Sequence, residues 1–357
     1  MKIVTIVGAR PQFVKAAALS REFNKHKGIE EIIVHTGQHF DENMSEVFFR
    51  EMEIPKPKYN LAINSLNHGA MTGRMLEGIE KILLDEKPDL LLVYGDTNST
   101  LAGALAAKKL HIKVAHVEAG LRSFNMEMPE EINRILTDRI SDYLFCPTQT
   151  AVDNLQKEGH ENSPCKIFKC GDVMQDAATF YAKKSAEKST INKQINLNQF
   201  ILCTLHRAEN TDDSTRLKAI LDALNQIHLT TSVVLPLHPR TKGKIEALGV
   251  ALKVKIIDPV GYFDMIELLK KCSLVMTDSG GLQKEAYFFK KNCVTLRDQT
   301  EWVELIENKV NILVGADKER IVSGASQMLN KESNFSIDLY GNGKACEKIA
   351  EALLELF

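Results

Sequence analysis

The chain has 357 residues, 44% hydrophobic and 26% charged, and its 45 Lys and Arg against 47 Asp and Glu leave a formal net charge of −2. That length exceeds one ordinary core and implies two domains, at roughly 150 residues each. The balance of charge argues against a broad basic surface for nucleic acid or an anionic membrane, and no apolar run approaches the ~18 residues of a membrane helix.

The opening run Lys2–Val7 reads as a buried strand, being too short for a secretion signal. Further buried strands are expected at 31–35, 90–94, 113–117 and 143–146, with helices between them over 12–26, 70–84, 99–109 and 130–140. Strands apolar on both faces and separated by helices indicate a parallel sheet. The pattern then repeats, with strands at 200–204, 232–235, 254–257, 274–277, 293–296 and 311–314. Helices of this second set fall at 213–226, 262–271, 281–289 and 318–329. The stretch 182–199, rich in Lys, Ser and Asn, divides the two sets and places a domain boundary near 171–198. A last helix, 343–356, follows the Gly341-Asn342-Gly343 turn. Two doubly wound α/β domains facing a cleft are expected, with ligands at the carboxyl ends of the strands. The seven cysteines are odd in number and form no C-x-x-C pair, so they are expected reduced, in the cytoplasm, with no zinc site.

Polar groups gather at the predicted strand ends. Gly8-Ala9-Arg10-Pro11, with Lys15 one turn later, suits an anion site or a plain structural turn. It is neither a dinucleotide fingerprint nor a P-loop. Asp96 stands before a helix, where it is a catalytic carboxylate or an N-cap. His116 and Glu118 would share one side of their strand by alternation, and Glu118 could instead pair with Arg122. Glu130 and Glu131 open a helix, where acidic residues also simply favour the macrodipole. Carboxylates at three such loops would raise one another's proton affinity, as acid/base work near neutral pH requires. In the second half, His206 and His238 follow strands, and Ser279-Gly280-Gly281 leads into a helix whose amides could hold a diphosphate. Glu285 lies one turn on, within reach of a ribose, and Arg297 could pair with phosphate or with an acidic neighbour.

In combination, GARPQFVK (8–15), GDTNST (95–100), HVEAGLR (116–122), PEEINR (129–134), LHRAEN (205–210), DSGGLQKE (278–285) and YGNGKA (340–345) resemble the non-hydrolysing UDP-N-acetylglucosamine 2-epimerases in order and spacing. The resemblance spans essentially the whole chain. It implies a GT-B-like pair of Rossmann-type domains, 1–171 joined by the terminal helix 343–357, and a UDP-binding domain 172–342. It further implies a homodimer that needs no metal or cofactor and has a UDP-sugar as its partner. The implied reaction interconverts UDP-GlcNAc and UDP-ManNAc, for surface polysaccharide precursors, by eliminating UDP to a 2-acetamidoglucal and adding it back. Asp96, Glu118, Glu130 and His206 match the family's catalytic residues. Arg10, His238, Ser279, Gly280, Gly281, Glu285 and Arg297 match its UDP contacts, with Lys15 joining the basic cluster. Asp96 and Glu130 are favoured for proton transfer and Glu118 for positioning.

Three departures stand out: Gln12 where many members carry Glu, TEWVE (300–304) where many carry TERPE, and Phe40-Asp41 where substrate-activated members are usually polar. The same segments resemble a branch acting on UDP-2,3-diacetamido-2,3-dideoxy-glucuronic acid, for which Arg122, Arg207 or Lys15 could supply extra donors. UDP-GlcNAc is the first expectation and this branch the second. A GT-B glycosyltransferase, a hydrolysing epimerase and a nucleotide-sugar sensor are the rivals. The full set of carboxylates and His206 weighs against the transferase and the sensor.

Overall fold

Strands buried on both faces must be covered by helices on both sides, and that requirement organises the chain. The computed structural model describes residues 1–38 and 54–357, apart from the Arg10 side chain, so the Phe40-Asp41 reading lies outside the described residues. The chain divides into two units, Met1–Ala177 with Asp338–Phe357, and Ala178–Ile337.

In the first unit the described strands are β1 (Lys2–Val7), β2 (Glu30–His35), β3 (Tyr59–Asn60), β4 (Leu90–Tyr94), β5 (Lys113–Val117), β6 (Tyr143–Cys146) and β7 (Lys166–Lys169). They form one sheet in the order β3-β2-β1-β4-β5-β6-β7, and every pairing is parallel. Val4, Ile6, Val34, Leu91 and Val93 pack under Met75, Ile79 and Leu83 of the helix His68–Glu86 and under Ala102 and Ala106 of Asn98–Lys109. The short alanine side chains let that second helix lie close to the sheet. The terminal helix Ala345–Leu356 packs on the first helix, Arg10–Phe23, burying Cys346, Ile349, Ala350 and Leu353.

The second unit carries β8 (Ile201–Thr204), β9 (Val233–Pro236), β10 (Lys255–Ile257), β11 (Leu274–Thr277), β12 (Cys293–Thr295) and β13 (Asn311–Leu313), ordered β10-β9-β8-β11-β12-β13. Alternation along β8 is visible in the core. Ile201 and Cys203 join one apolar cluster with Leu217 and Met328, whereas Leu202 joins the other with Leu268 and Leu269.

The polar stretch 182–199, expected to divide the two sets of strands, is largely helical. Val173–Lys188 is a 16-residue helix, followed by Ile191–Ile195. Its polar side chains are spent on the helix Tyr262–Lys271: Ser185 Oγ donates to Glu267 Oε1 at 2.6 Å and Ser189 Oγ to Asp264 Oδ1 at 2.6 Å. Tyr181 packs edge-on to Tyr262 and Phe263, both at 5.8 Å. The stretch reads as polar because this interface is held by hydrogen bonds as well as apolar contact.

Candidate active site

In both sheets strand order reverses beside the first strand, at β1/β4 and at β8/β11. An open α/β sheet leaves its ligand crevice at such a switch point, outside the carboxyl ends of the strands. The Gly8–Lys15 loop and helix follow β1, and Asp96 follows β4; His206 follows β8, and Ser279 follows β11.

At the first switch point Gln12 staples the two loops. Its Oε1 accepts from the Gly8 and Ala9 amides at 2.8 and 3.1 Å, while its Nε2 donates to Tyr94 O at 2.8 Å and reaches Thr97 and Thr100 Oγ1. The side chain is 1% exposed, so an amide that both donates and accepts suits a buried site with needs of both kinds. Gly8 is required here, because a Cβ would come within 2.2 Å of both Ser99 Oγ and Thr36 Oγ1.

Asp96, Glu118 and Glu130 converge on this side of the first unit. Asp96 keeps about a third of its side-chain surface exposed and accepts from Arg134 Nη2 at 2.6 Å. Its main-chain oxygen accepts from Asn133 Nδ2 at 3.0 Å. Desolvation raises the proton affinity of Asp96 above the usual carboxylate range; Arg134 and Lys15 oppose the shift, and Glu118 and Glu130 reinforce it. Glu118 is held differently. The strand ends at Val117, and Glu118 takes a φ of +73°, which a residue with a Cβ adopts only under constraint. Its carboxylate pairs with Lys15 Nζ, and its amide donates to Phe145 O at 3.0 Å. The alternation expected to put His116 beside Glu118 is broken by this turn.

The adjacent glutamates of the helix Pro129–Ile140 separate clearly. Glu131 is fully buried and accepts from Ser123 N, Ser123 Oγ and Phe124 N. Glu130 is exposed in the first turn. Arg122 does not pair with Glu118. It donates to Asp138 Oδ2 at 2.7 Å and forks onto Glu158 at 2.7 Å through both Nε and Nη2, so it is occupied and unsuited to recognising a substrate carboxylate. Asp138 is fully buried. Burial works to raise its proton affinity, but His116 and Arg122 outweigh it and hold the carboxyl below the usual range.

The second unit repeats the device of a buried aspartate that pins a loop. Asp278, fully buried, accepts from the His206 and Arg207 amides at 3.0 and 2.9 Å, with His206 Nδ1 3.4 Å away and half of the His206 side chain exposed. Ser279 caps the helix Gly280–Phe288, accepting from Leu282 N. Gly280 has Glu301 Oε1 within 2.4 Å of where a Cβ would stand, and Glu301 accepts from the buried Arg297 at 3.0 Å. Gly281 is exposed and Glu285 buried. Trp302, of the unusual TEWVE segment, lies under the buried Lys284 ammonium, 3.9 Å from its ring centre. His238 accepts from Arg240 N at 3.3 Å and so serves as a helix cap. Arg10 opens the first helix, and its side chain lies outside the described residues. Sequence reasoning passed over the partners Arg134, Asn133 and Asp138, whose contacts span 38, 37 and 22 residues.

The sequence model of the UDP-N-acetylglucosamine 2-epimerase family matches residues 21–354. The chain belongs to this family. It is 59% identical to the UDP-2,3-diacetamido-2,3-dideoxy-D-glucuronate 2-epimerase of Pseudomonas aeruginosa, over 100% of both chains. The solved Methanocaldococcus jannaschii UDP-GlcNAc 2-epimerase, in complex with UDP-GlcNAc and UDP, superposes with a TM-score of 0.92 at 46% identity, covering 99% of this chain and 100% of that one. The Neisseria meningitidis UDP-GlcNAc 2-epimerase bound to UDP-GlcNAc gives 0.90 at 30% identity, covering 99% and 100%. The GT-B-like architecture of two Rossmann-type sheets and the isomerase class of these epimerases thus hold for this chain. Among the described residues, no helix of this family member is long and apolar enough to cross a membrane.

Proposed function

We propose that the chain inverts C2 of a UDP-2-acetamido sugar without releasing the free sugar. The observation that carries this reading is the Asp96 carboxyl, partly exposed and raised in proton affinity beside Glu118 and Glu130. A carboxyl poised in this way can trade a proton with a weakly acidic C2–H. As the C1–O bond to UDP breaks, its electron pair leaves with UDP. A carboxylate takes the C2 proton, and the C2–H pair becomes the C1=C2 bond of a glucal. Reprotonation on the opposite face and return of UDP complete the inversion. Asp96 and Glu130, accessible, are assigned to proton transfer. Glu118, paired to Lys15 on a constrained backbone, is assigned to positioning. Ser279, Gly280, Gly281, Glu285 and Arg297 are assigned to UDP, with Arg10 as a further phosphate donor and His238 in the lesser role of shaping the loop. His206, with half of its side chain exposed, is assigned a catalytic role in addition to the carboxylates.

UDP-GlcNAc is the substrate that the family model and the solved relatives support. A second substrate is favoured by a specific observation: the 59% identity to the diacetamido-glucuronate enzyme, end to end, exceeds the 47% to the M. jannaschii UDP-GlcNAc enzyme. On that ground the diacetamido-glucuronate donor is preferred. We further assign the protein to the cytoplasm, where its free cysteines, six of them buried, stay reduced, and to a homodimer, which sedimentation would test.

Each donor, incubated separately in deuterated water and followed by NMR, should yield two UDP-sugars carrying deuterium at C2 and little free sugar. The preferred donor should show the higher kcat/KM by at least about tenfold. Recovery of both donors without exchange would sink the reading; stoichiometric free sugar would make the enzyme hydrolytic.

A further inference from the structure

The carboxylates proposed for chemistry sit on separate loops, and something must fix their spacing. His116 is fully buried on β5, with Nδ1 2.7 Å from Asp138 Oδ1 and Nε2 2.7 Å from the Gly95 carbonyl oxygen. A carbonyl oxygen only accepts, so Nε2 must donate. Asp138 accepts at its other oxygen from the Gly120 amide, at 3.1 Å, and from Arg122, at 2.7 Å. A carboxylate so surrounded by donors accepts from Nδ1 as well. The ring therefore donates from both nitrogens.

These contacts form one frame. Gly95, with a φ of +61°, immediately precedes Asp96; its amide donates to Val117 O at 3.0 Å while its carbonyl is held by His116. Gly120, with a φ of +80°, follows Glu118 by two residues and is held by Asp138. A Cβ at Gly120 would stand 2.3 Å from the Ala151 carbonyl oxygen, which leaves this loop no room to drift. Asp138 itself lies two turns beyond Glu130 on the same helix.

We propose that Asp138 and a doubly protonated His116 form a positioning pair that sets the spacing of the Asp96, Glu118 and Glu130 loops. The inference rests on the roles proposed above for those carboxylates. Stability alone is a poor reason to keep such a pair, because exchanging a buried ion pair for well-packed apolar groups is often neutral or stabilising. Geometric precision is the better reason: a catalytic group displaced by 1 Å can cost about 100-fold in rate.

The test has two arms. In the wild-type protein, ¹⁵N NMR of the His116 ring at neutral pH should show both nitrogens protonated; one bare nitrogen would overturn the proposal, and this arm needs no variant to fold. In the second arm, His116→Asn keeps the reach toward Asp138 and loses Gly95, whereas His116→Gln places an amide near the Nε2 position. For folded variants we expect kcat to fall about 100-fold in His116→Asn and less than about tenfold in His116→Gln. UDP affinity by calorimetry should stay within about threefold in both. Equal losses in the two variants, or a parallel loss of UDP binding, would overturn the positioning role. If wild-type protein failed to exchange C2 on either donor, the functional reading would fall while the ring-nitrogen result would still decide the pairing.

Discussion

Asp96 shows how one residue can be held firmly and still be available. Arg134 fixes one carboxylate oxygen and Asn133 fixes the main chain, yet about a third of the side chain faces solvent. Asp96→Asn should lower turnover by orders of magnitude while UDP affinity stays within about tenfold, since UDP is assigned to other groups. A comparable loss of UDP binding would make the residue structural. The raised proton affinity gives a sign for stability too. A group with a raised folded-state pKa stabilises the fold below its ordinary 3.8 and loses that contribution as pH rises through the raised value. Ionised Asp96 therefore works against folding at neutral pH, and the Asn variant should melt no lower than wild type there. Asp96 and Glu118 were legible in the sequence because each stands where an apolar run gives way to polar residues, and Glu130 because it follows Pro129 at the opening of a helix. Their counter-ions were not. Arg134 and Asp138 look like ordinary residues on the exposed side of a helix until folding brings distant loops against them. The choice between Glu130 and Glu131 likewise needed the fold, which buries the second under the Ser123–Phe124 amides.

Elements buried on both faces were read most easily. β1, β4, β5, β6 and β11 coincide with the runs picked out by composition. The sheet's edges were missed: β3 is two residues long, and β7, Lys-Ile-Phe-Lys, is flanked by charges. Short or charged edge strands discourage pairing with another chain, which is also why they carry little apolar signal. At the β3 edge, Glu86 ends the helix His68–Glu86 and binds Lys2 of β1, Lys58 and the Tyr59 hydroxyl, at 2.7, 2.6 and 2.5 Å. Those contacts lower its carboxyl from the ordinary 4.5 to about 2. A lowered folded-state pKa gives stability that is present above 4.5 and lost as pH falls toward 2. Melting curves across that window should show Glu86→Gln less stable than wild type at neutral pH, with the gap closing as pH falls from 4.5 to about 2. A gap independent of pH would show the contacts to be steric and not ionic.

At the scale of the molecule, the near-neutral net charge and the proposed anion site are compatible because cations here are local and mostly matched by nearby acids. Lys15 faces Glu118, Arg134 faces Asp96 and Arg297 faces Glu301. The first unit is discontinuous in sequence. Its last segment returns past a close crossing in which Gly171, with a φ of +100°, leaves no room for a Cβ beside the Tyr340 carbonyl oxygen, 2.5 Å away. Asp176 then caps the terminal helix by accepting from the Ala345 and Cys346 amides at 3.1 and 2.9 Å. Buried Tyr340, Ile349 and Leu353 go with that segment. Each such side chain contributes roughly 1.5–3 kcal/mol, so their sum is comparable to the whole stability of a typical domain, about 5–15 kcal/mol. Ending the chain at Ile337 should leave 178–337 resistant to limited proteolysis while 1–177 is digested; protection of 1–177 would show the segment to be dispensable. The crossing also has a consequence in time. A ribosome delivers the first 177 residues well before the final twenty that complete them. At about 5–20 residues per second the wait is on the order of ten seconds. Through that interval the helix Arg10–Phe23 has no terminal helix to cover it, and the Ile349 and Leu353 side chains that will bury themselves there do not yet exist.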